Sequence, residues 1–148
     1  MPSTYLSLHY HLVFSTKNRQ TFIKDDWALQ LHEYLGGTVK GLGGFPQGVG
    51  GVADHVHLLV GLKATHCLAD FMRELKKASS IWVHEEMKQP EFAWQEGYSA
   101  FTVSSTARPA VKRYIGNQKE HHRNKSFREE LVEMLHRAGV EFDPRYLD

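Results

Sequence analysis

The sequence predicts an α+β fold built on one antiparallel sheet, with helices on one of its faces. Three observations point there. Residues Tyr5 to Phe14 alternate, with Leu6, Leu8, Tyr10, Leu12 and Phe14 against Ser7, His9, His11 and Val13, which is the period of a strand with one covered face. Residues Asp54 to Val60 form a short apolar run, partly β-branched, with glycines before it and Gly61 after it, as a buried strand does. Two longer stretches carry apolar residues at helical spacing. With a weak strand before Asp54 and a last one near residue 100, the order is β-α-β-β-α-β followed by two more helices, a ferredoxin-like plan. A single domain, 1–148, is large enough to bury a core.

In chain order, Ser15 to Arg19 reads as a polar, partly basic loop after the first strand. Asp25 and Asp26 suit the N-terminus of a helix, and Trp27, Leu31, Tyr34, Leu35, Thr38 and Leu42 form its stripe. Gly41, Gly43 and Gly44 end it. Phe45 to Ala53 is a weak strand whose Gly48, Gly50 and Gly51 suggest an edge or a bulge; no Gly-Lys-Ser/Thr follows, so a nucleotide loop is excluded. A second helix runs from Leu68 to about Met87 on Leu68, Phe71, Met72, Leu75, Ser79 and Trp82. Ser99 to Ser104 is the last strand. Ser105 or Thr106 caps a third helix over about 108–123, with Pro109 in its first turn. Ser126 and Glu129 form a capping box for a fourth, packed through Phe127, Leu131, Met134 and Leu135 and stopped by Gly139.

Composition narrows the class. The chain is 41% apolar and 24% charged, as soluble proteins are, and no apolar run approaches membrane-spanning length. The start of the chain lacks a signal-peptide pattern, and the lone Cys67 has no internal disulfide partner, so a cytoplasmic location is expected. Net charge is only +1, yet seven of the basic residues fall between Arg108 and Arg128 against a single acid, Glu120. A local basic surface on a near-neutral protein suits a phosphate-binding face.

The chemistry sits on the Asp54–Val60 strand. His55 and His57 share a face there and are close enough to hold one metal ion. The plainer reading of a His-X-His in a chain with ten histidines is a hydrogen-bonded core or rim pair, and His9 and His11 repeat the spacing. In the predicted topology the first and third strands are neighbours, so all four histidines line the sheet face opposite Leu12 and Leu58. On the third helix Tyr114 and Gln118 are four apart and share a side, with His121 and His122 a turn further on. Asp54 can orient a histidine or face solvent, and it is the only carboxylate adjacent in sequence to the pair.

Tyr10 to Lys17, Asp54 to Val60 and Tyr114-Ile115-Gly116-Asn117-Gln118 together resemble the HUH-type single-tyrosine transposases of the insertion-sequence two-hundred group, with REP-associated tyrosine transposases as close relatives. The resemblance spans nearly the whole chain. It implies a DNA transposase in which His55, His57 and Gln118 hold Mg²⁺ or Mn²⁺ and Tyr114, on an added C-terminal helix, is the nucleophile. It further implies cleavage and rejoining of single-stranded DNA with a hairpin near the element's end, through a 5′-phosphotyrosine. A homodimer with a shared active site is also implied. Lys17, Arg19, Lys76, Lys77, Lys112, Arg113, Lys119 and Arg123 are the expected DNA contacts. The alternative is a domesticated hairpin-binding protein that does not cut. A Zn²⁺ hydrolase would need a carboxylate beside the histidines other than Asp54.

Overall fold

A computed structural model describes residues 3–147; Met1, Pro2 and Asp148, the ends of the expected 1–148 domain, lie outside them. Four strands, β1 (His9–Ser15), β2 (Phe45–Val52), β3 (His55–Gly61) and β4 (Ser99–Thr102), form one antiparallel sheet in the order β2-β3-β1-β4. Helices α1 (Asp25–Gly41) and α2 (Leu68–Glu86) alternate with them in the ferredoxin-like order. Three helices follow β4: α3 (Arg108–Gly116), the single turn α4 (Gln118–His121) and α5 (Phe127–Ala138). Among the described residues no helix is long and apolar enough to cross a membrane.

The period-two pattern sorts the faces as expected. Leu12, Phe14, Val56, Leu58 and Val60 bury one face against Trp27, Leu31, Leu35 and Val39 of α1 and Phe71, Met72, Leu75 and Val83 of α2. Val83 takes the interior position expected for Trp82, which instead stacks on Tyr34 at 4.8 Å. The second face is not left open. α5 lays Phe127, Leu131 and Leu135 on Val13, joined by Leu147. α3 lays Ile115 on Leu59, with Val103 beside it. The helices therefore occupy both faces, two on one and the C-terminal set on the other.

Three boundaries differ from expectation. β1 begins at His9 rather than Tyr5, because His9 already pairs with Gly61, the last residue of β3, and Thr102 at the end of β4 pairs with Tyr10. Leu8 still accepts from the Leu62 N–H at 2.9 Å, but no described residue before His9 belongs to a strand, and Tyr5 is 91% exposed. β4 stops at Thr102, and Ala107 rather than Ser105 or Thr106 precedes α3; its N–H reaches the Ser104 hydroxyl at 3.3 Å. The expected helix over 108–123 breaks at Asn117 (φ −105°, ψ 25°), so it is divided into α3 and the single turn α4.

β2 is an edge strand with a register shift between Pro46 and Gly48, in keeping with its glycines. Gly50 has a specific reason to be glycine: a Cβ there would lie 2.2 Å from the Ile115 carbonyl oxygen. The backbone of α3 thus presses directly on the edge strand. Gly50→Ala should push α3 away and cost about 1–3 kcal/mol. Gly37→Ala, at an exposed position in α1 with nothing within 4 Å, should instead stabilise by about 0.5–1 kcal/mol. Urea unfolding of both variants measures this, and an unaltered midpoint for Gly50→Ala would refute the close approach.

Candidate active site

β3 is central and buried along its length, so His55 and His57 are held rigidly and without solvent. The β1–β3 register pairs Val13 with His57 and His11 with Leu59, which sets His11 diagonally across from His57. Their rings meet, His11 Nε2 to His57 Nδ1, at 2.7 Å. His9, two residues further along, pairs with Gly61 and lies beyond the cluster. Of the four expected histidines, three therefore come together and one does not.

The C-terminal helices close over them. Gln118 is 1% exposed, with Oε1 at 3.1 Å from His55 Nε2 and 3.0 Å from His122 Nε2. Tyr114 remains near despite the break at Asn117: its hydroxyl donates to Glu130 Oε2 and lies 3.2 Å from His121 Nε2. Glu130 comes from α5 and is equally buried; its Oε1 is 3.0 Å from His57 Nε2, 3.0 Å from His122 Nε2 and 3.2 Å from His55 Nε2. The Phe127 ring stacks on His55 at 4.3 Å, which fixes that imidazole in place.

The outer nitrogens of the imidazoles determine what the inner ones can do. His55 Nδ1 faces Asp54 Oδ1 at 2.7 Å, and His122 Nδ1 faces the Lys125 carbonyl at 2.6 Å. Both partners only accept, so both Nδ1 atoms carry the proton. His57 Nδ1 meets His11 Nε2, and one of the two carries the proton. Three Nε2 atoms then face the same carboxylate oxygen, Glu130 Oε1. A proton or a cation among them is what holds three ring nitrogens against a carboxylate. A cation with ligands about 2.1 Å away spaces adjacent ligand atoms about 3.0 Å apart, close to the distances here. His55, His57, His122 and Glu130 offer one atom each within 4.8 Å of one another, with Gln118 Oε1 alongside. The donor set fits a divalent cation.

The protonation states agree. Burial lowers His57 to about 4, against the opposing pull of Glu130. Burial, reinforced by His57, lowers His11 to about 3. Burial also works against a charged His55, but hydrogen bonds to Asp54 and Glu130 outweigh it and raise that pKa. Burial alone would raise Glu130, yet hydrogen bonds from His122, His55 and His57 hold it far below the usual carboxylate range. Burial raises Tyr114, and contact with Glu130 raises it further, so the hydroxyl keeps its proton at neutral pH.

Two clefts flank the cluster. One of about 460 Å³ opens onto Tyr114 and Glu130 between α3 and α5, with Lys125 and Arg137 at its rim. The other, about 510 Å³, runs beside Asp54 and His122 and is lined by Arg19, Lys119, Arg123 and Lys125. Of the expected DNA contacts, Arg19, Lys119 and Arg123 thus gather in one cleft, although Lys119 also meets Asp25 and Arg123 meets Glu120. Lys17 is exposed in the turn after β1, and Arg113 is exposed on α3. Lys112 lines a separate cleft with Arg108 and Gln47. Lys76 and Lys77 lie on α2, across the sheet from the site. Lys76 Nζ donates to the carbonyls of Gln95, Glu96 and Gly97, which ties that loop to α2.

Sequence reasoning misses Glu130 as the carboxylate beside the histidines. Its signal is an acid inside the apolar stripe of α5, three residues after Phe127 and one before Leu131. His122 has a signal as well, four residues after Gln118. Asp54 takes the orienting role, because it sits in the β2–β3 turn and does not continue the strand.

Comparison with known proteins gives a consistent set. Residues 4–118 match the family described as IS200-like transposases. The ISDra2 transposase TnpA of Deinococcus radiodurans is 29% identical over 119 residues, covering 75% of this chain and 84% of that one. A crystallised protein of Deinococcus radiodurans, also described as a transposase, is 31% identical, with a TM-score of 0.64 over 80% of this chain and 95% of its own. A REP-associated tyrosine transposase bound to a REP hairpin shares the fold at 12% identity, with a TM-score of 0.61 over 97% of this chain and 92% of its own.

Cation binding at this cluster must displace the proton that His55 holds, since a ligating imidazole is neutral at the bound nitrogen. The raised His55 pKa keeps that proton in place at lower pH. Mn²⁺ affinity should therefore climb as pH rises through and above the ordinary imidazole range, while His11 and His57 stay neutral. Calorimetric titration across that range checks the sign, and a flat profile would contradict it.

Proposed function

The chain belongs to the IS200-like transposase family, and from that premise we propose that it cuts and rejoins single-stranded DNA through Tyr114 with a divalent cation. One observation carries the reading: the Tyr114 hydroxyl touches Glu130, the same buried carboxylate that faces His55, His57 and His122. Nucleophile and candidate cation site thus meet within a single chain.

His55, His57 and Gln118 are the proposed ligands, with His122 and Glu130 close enough to join them. When bound, the cation polarises a phosphodiester oxygen and offsets charge on the leaving oxygen. An imidazole-rich set favours Mn²⁺ over Mg²⁺ on ligand preference. Tyr114 Oη attacks phosphorus, the O–P bond to the 3′ oxygen breaks, and the 5′ phosphate stays on the tyrosine, which keeps bond energy for rejoining. Glu130 Oε2 accepts a hydrogen bond from the hydroxyl and orients it, and His121 Nε2, at 3.2 Å, is the base in reach of the phenolic proton. Asp54 and the Lys125 carbonyl hold His55 and His122 in the tautomer that frees Nε2 on the inner side, and His11 orients His57 through its Nδ1.

The cleft of Arg19, Lys119, Arg123 and Lys125 beside His122 is the proposed track for the sugar-phosphate backbone. The hairpin held by the structural neighbour of like fold supports a hairpin-bearing strand as the substrate. A DNA substrate supports the expected cytoplasmic location. The expected homodimer is retained in this proposal, although the chemistry described needs no residue from a second copy. The assembled Tyr114, His55, His57 and Gln118 set argues against a domesticated, non-cutting relative.

The test uses both single strands of the DNA flanking the gene, end-labelled, with Mn²⁺ or Mg²⁺. A denaturant-resistant protein–DNA adduct should form on one strand and vanish in Tyr114→Phe and in chelator. His55→Ala and His57→Ala should lower adduct yield by about 10²-fold or more while hairpin binding persists. An adduct in Tyr114→Phe would remove Tyr114 as nucleophile. Tight hairpin binding with no adduct in any metal would favour the non-cutting alternative.

A further inference from the structure

Glu130 lies beyond residues 4–118, the span the family matches, yet it sits at the middle of the site. It occupies a core position of α5 between Phe127 and Leu131, where packing alone would favour an apolar side chain. A carboxylate is expensive to bury unless each oxygen is satisfied. Both are satisfied here, toward different groups. Oε1 faces the three imidazole Nε2 atoms at 3.0–3.2 Å, the spacing of neighbouring ligands around one cation. Oε2 accepts from the Tyr114 hydroxyl and lies 3.3 Å from Gln118 Nε2.

We propose that Glu130 couples cation binding to the placement of the nucleophile: Oε1 is a ligand of the cation held by His55 and His57, and Oε2 of the same carboxylate holds the Tyr114 hydroxyl beside it. This deepens the reading of a cation-dependent tyrosine enzyme and rests on it. The backbone geometry serves the role. Phe127, Leu131 and Leu135 anchor α5 to Val13 and Leu147, and the Ser126/Glu129 capping box fixes the helix start next to Glu130. The carboxylate is therefore carried on a rigid element, as a ligand that also positions a second group should be. A cation held at Oε1 would fix the orientation of the carboxylate, and with it the place of Oε2 beside the Tyr114 hydroxyl.

The experiment measures cation and tyrosine separately, without DNA. Mn²⁺ affinity is read by calorimetry for the wild type, His55→Ala, Glu130→Gln and Glu130→Ala. In parallel, fluorotyrosine-labelled protein is titrated with Mg²⁺ and followed by ¹⁹F NMR, with the Tyr114 resonance identified by its absence in Tyr114→Phe. Glu130→Gln keeps the shape of the side chain, and circular dichroism confirms folding; should Glu130→Ala fail to fold, Glu130→Gln carries the test. The expected result is Mn²⁺ binding at least about tenfold weaker in Glu130→Gln, with the Mg²⁺-induced shift of the Tyr114 resonance abolished. Mn²⁺ affinity within about twofold of wild type in Glu130→Gln, while His55→Ala loses binding, would overturn the coupling and leave the cation-dependent reading intact. A Tyr114 shift that persists in the Glu130 variants would also overturn it. A wild type that binds no Mn²⁺ would overturn both.

Discussion

The register of β1 on β3 governs the chemistry this sheet can carry. Pairing Val13 with His57 and Ser15 with His55 puts the two histidines toward one end of the sheet, on the face away from α1 and α2. The same pairing sets His11 against His57, places Val13 under α5 and leaves Leu59 as the seat for Ile115 of α3. A slip of one residue would turn the histidines into the apolar core and expose Leu12, Phe14 and Leu58. The apolar side of the sheet enforces this register: Leu12, Phe14, Val56, Leu58 and Val60 are all fully buried. The polar side inherits its geometry from that packing.

On that polar side a few groups must satisfy one another without water. His55, His57, Gln118 and Glu130 are each 0–1% exposed. In such surroundings opposed lone pairs and an isolated carboxylate are costly, and removing one partner typically costs more than the pair contributes. The outward partners settle the problem in one direction. Asp54 and the Lys125 carbonyl take the Nδ1 protons of His55 and His122, so the charge that balances Glu130 from those rings lies on the side of their Nε2 atoms. A proton on His55 does this in part, and its raised pKa reflects it. A divalent cation does it for all three imidazoles at once.

Much of this architecture is legible in the amino-acid sequence. Alternation in Tyr5–Phe14, the Asp54–Val60 run and the two helical stripes predict the order of elements and their buried faces, because burial on one face leaves a periodic trace. The pairing of His55 and His57 follows from a strand period of two, and the glycines of β2 mark it as an edge. What stays hidden depends on contacts distant in sequence. The start of β1 is set by where β3 and β4 end, which Tyr5 and Leu6 do not encode. The break at Asn117 arises where the chain turns from α3 into α4. Glu130 approaches His57 across 73 positions, and only its place in an apolar stripe marks it. The basic residues stand out as a group, but their division between clefts, a loop clamp and open surface is a property of the fold.

The division of labour along the chain explains why the site needs its last third. The sheet, α1 and α2 supply a rigid platform with two imidazoles, and α3 brings the tyrosine through a contact so close that Gly50 has no room for a side chain. Up to Gln118 this is the span shared with the family. Those parts alone would leave Val13 exposed and His55 with one ring face in water. α5 covers both: Phe127 stacks on His55 while Leu131 and Leu135 cover Val13, and the same turn of helix presents Glu130 to the imidazoles. Packing and chemistry therefore come from one surface of one helix. The apolar contacts of α5 supply the free energy that holds a carboxylate where it would not otherwise stay.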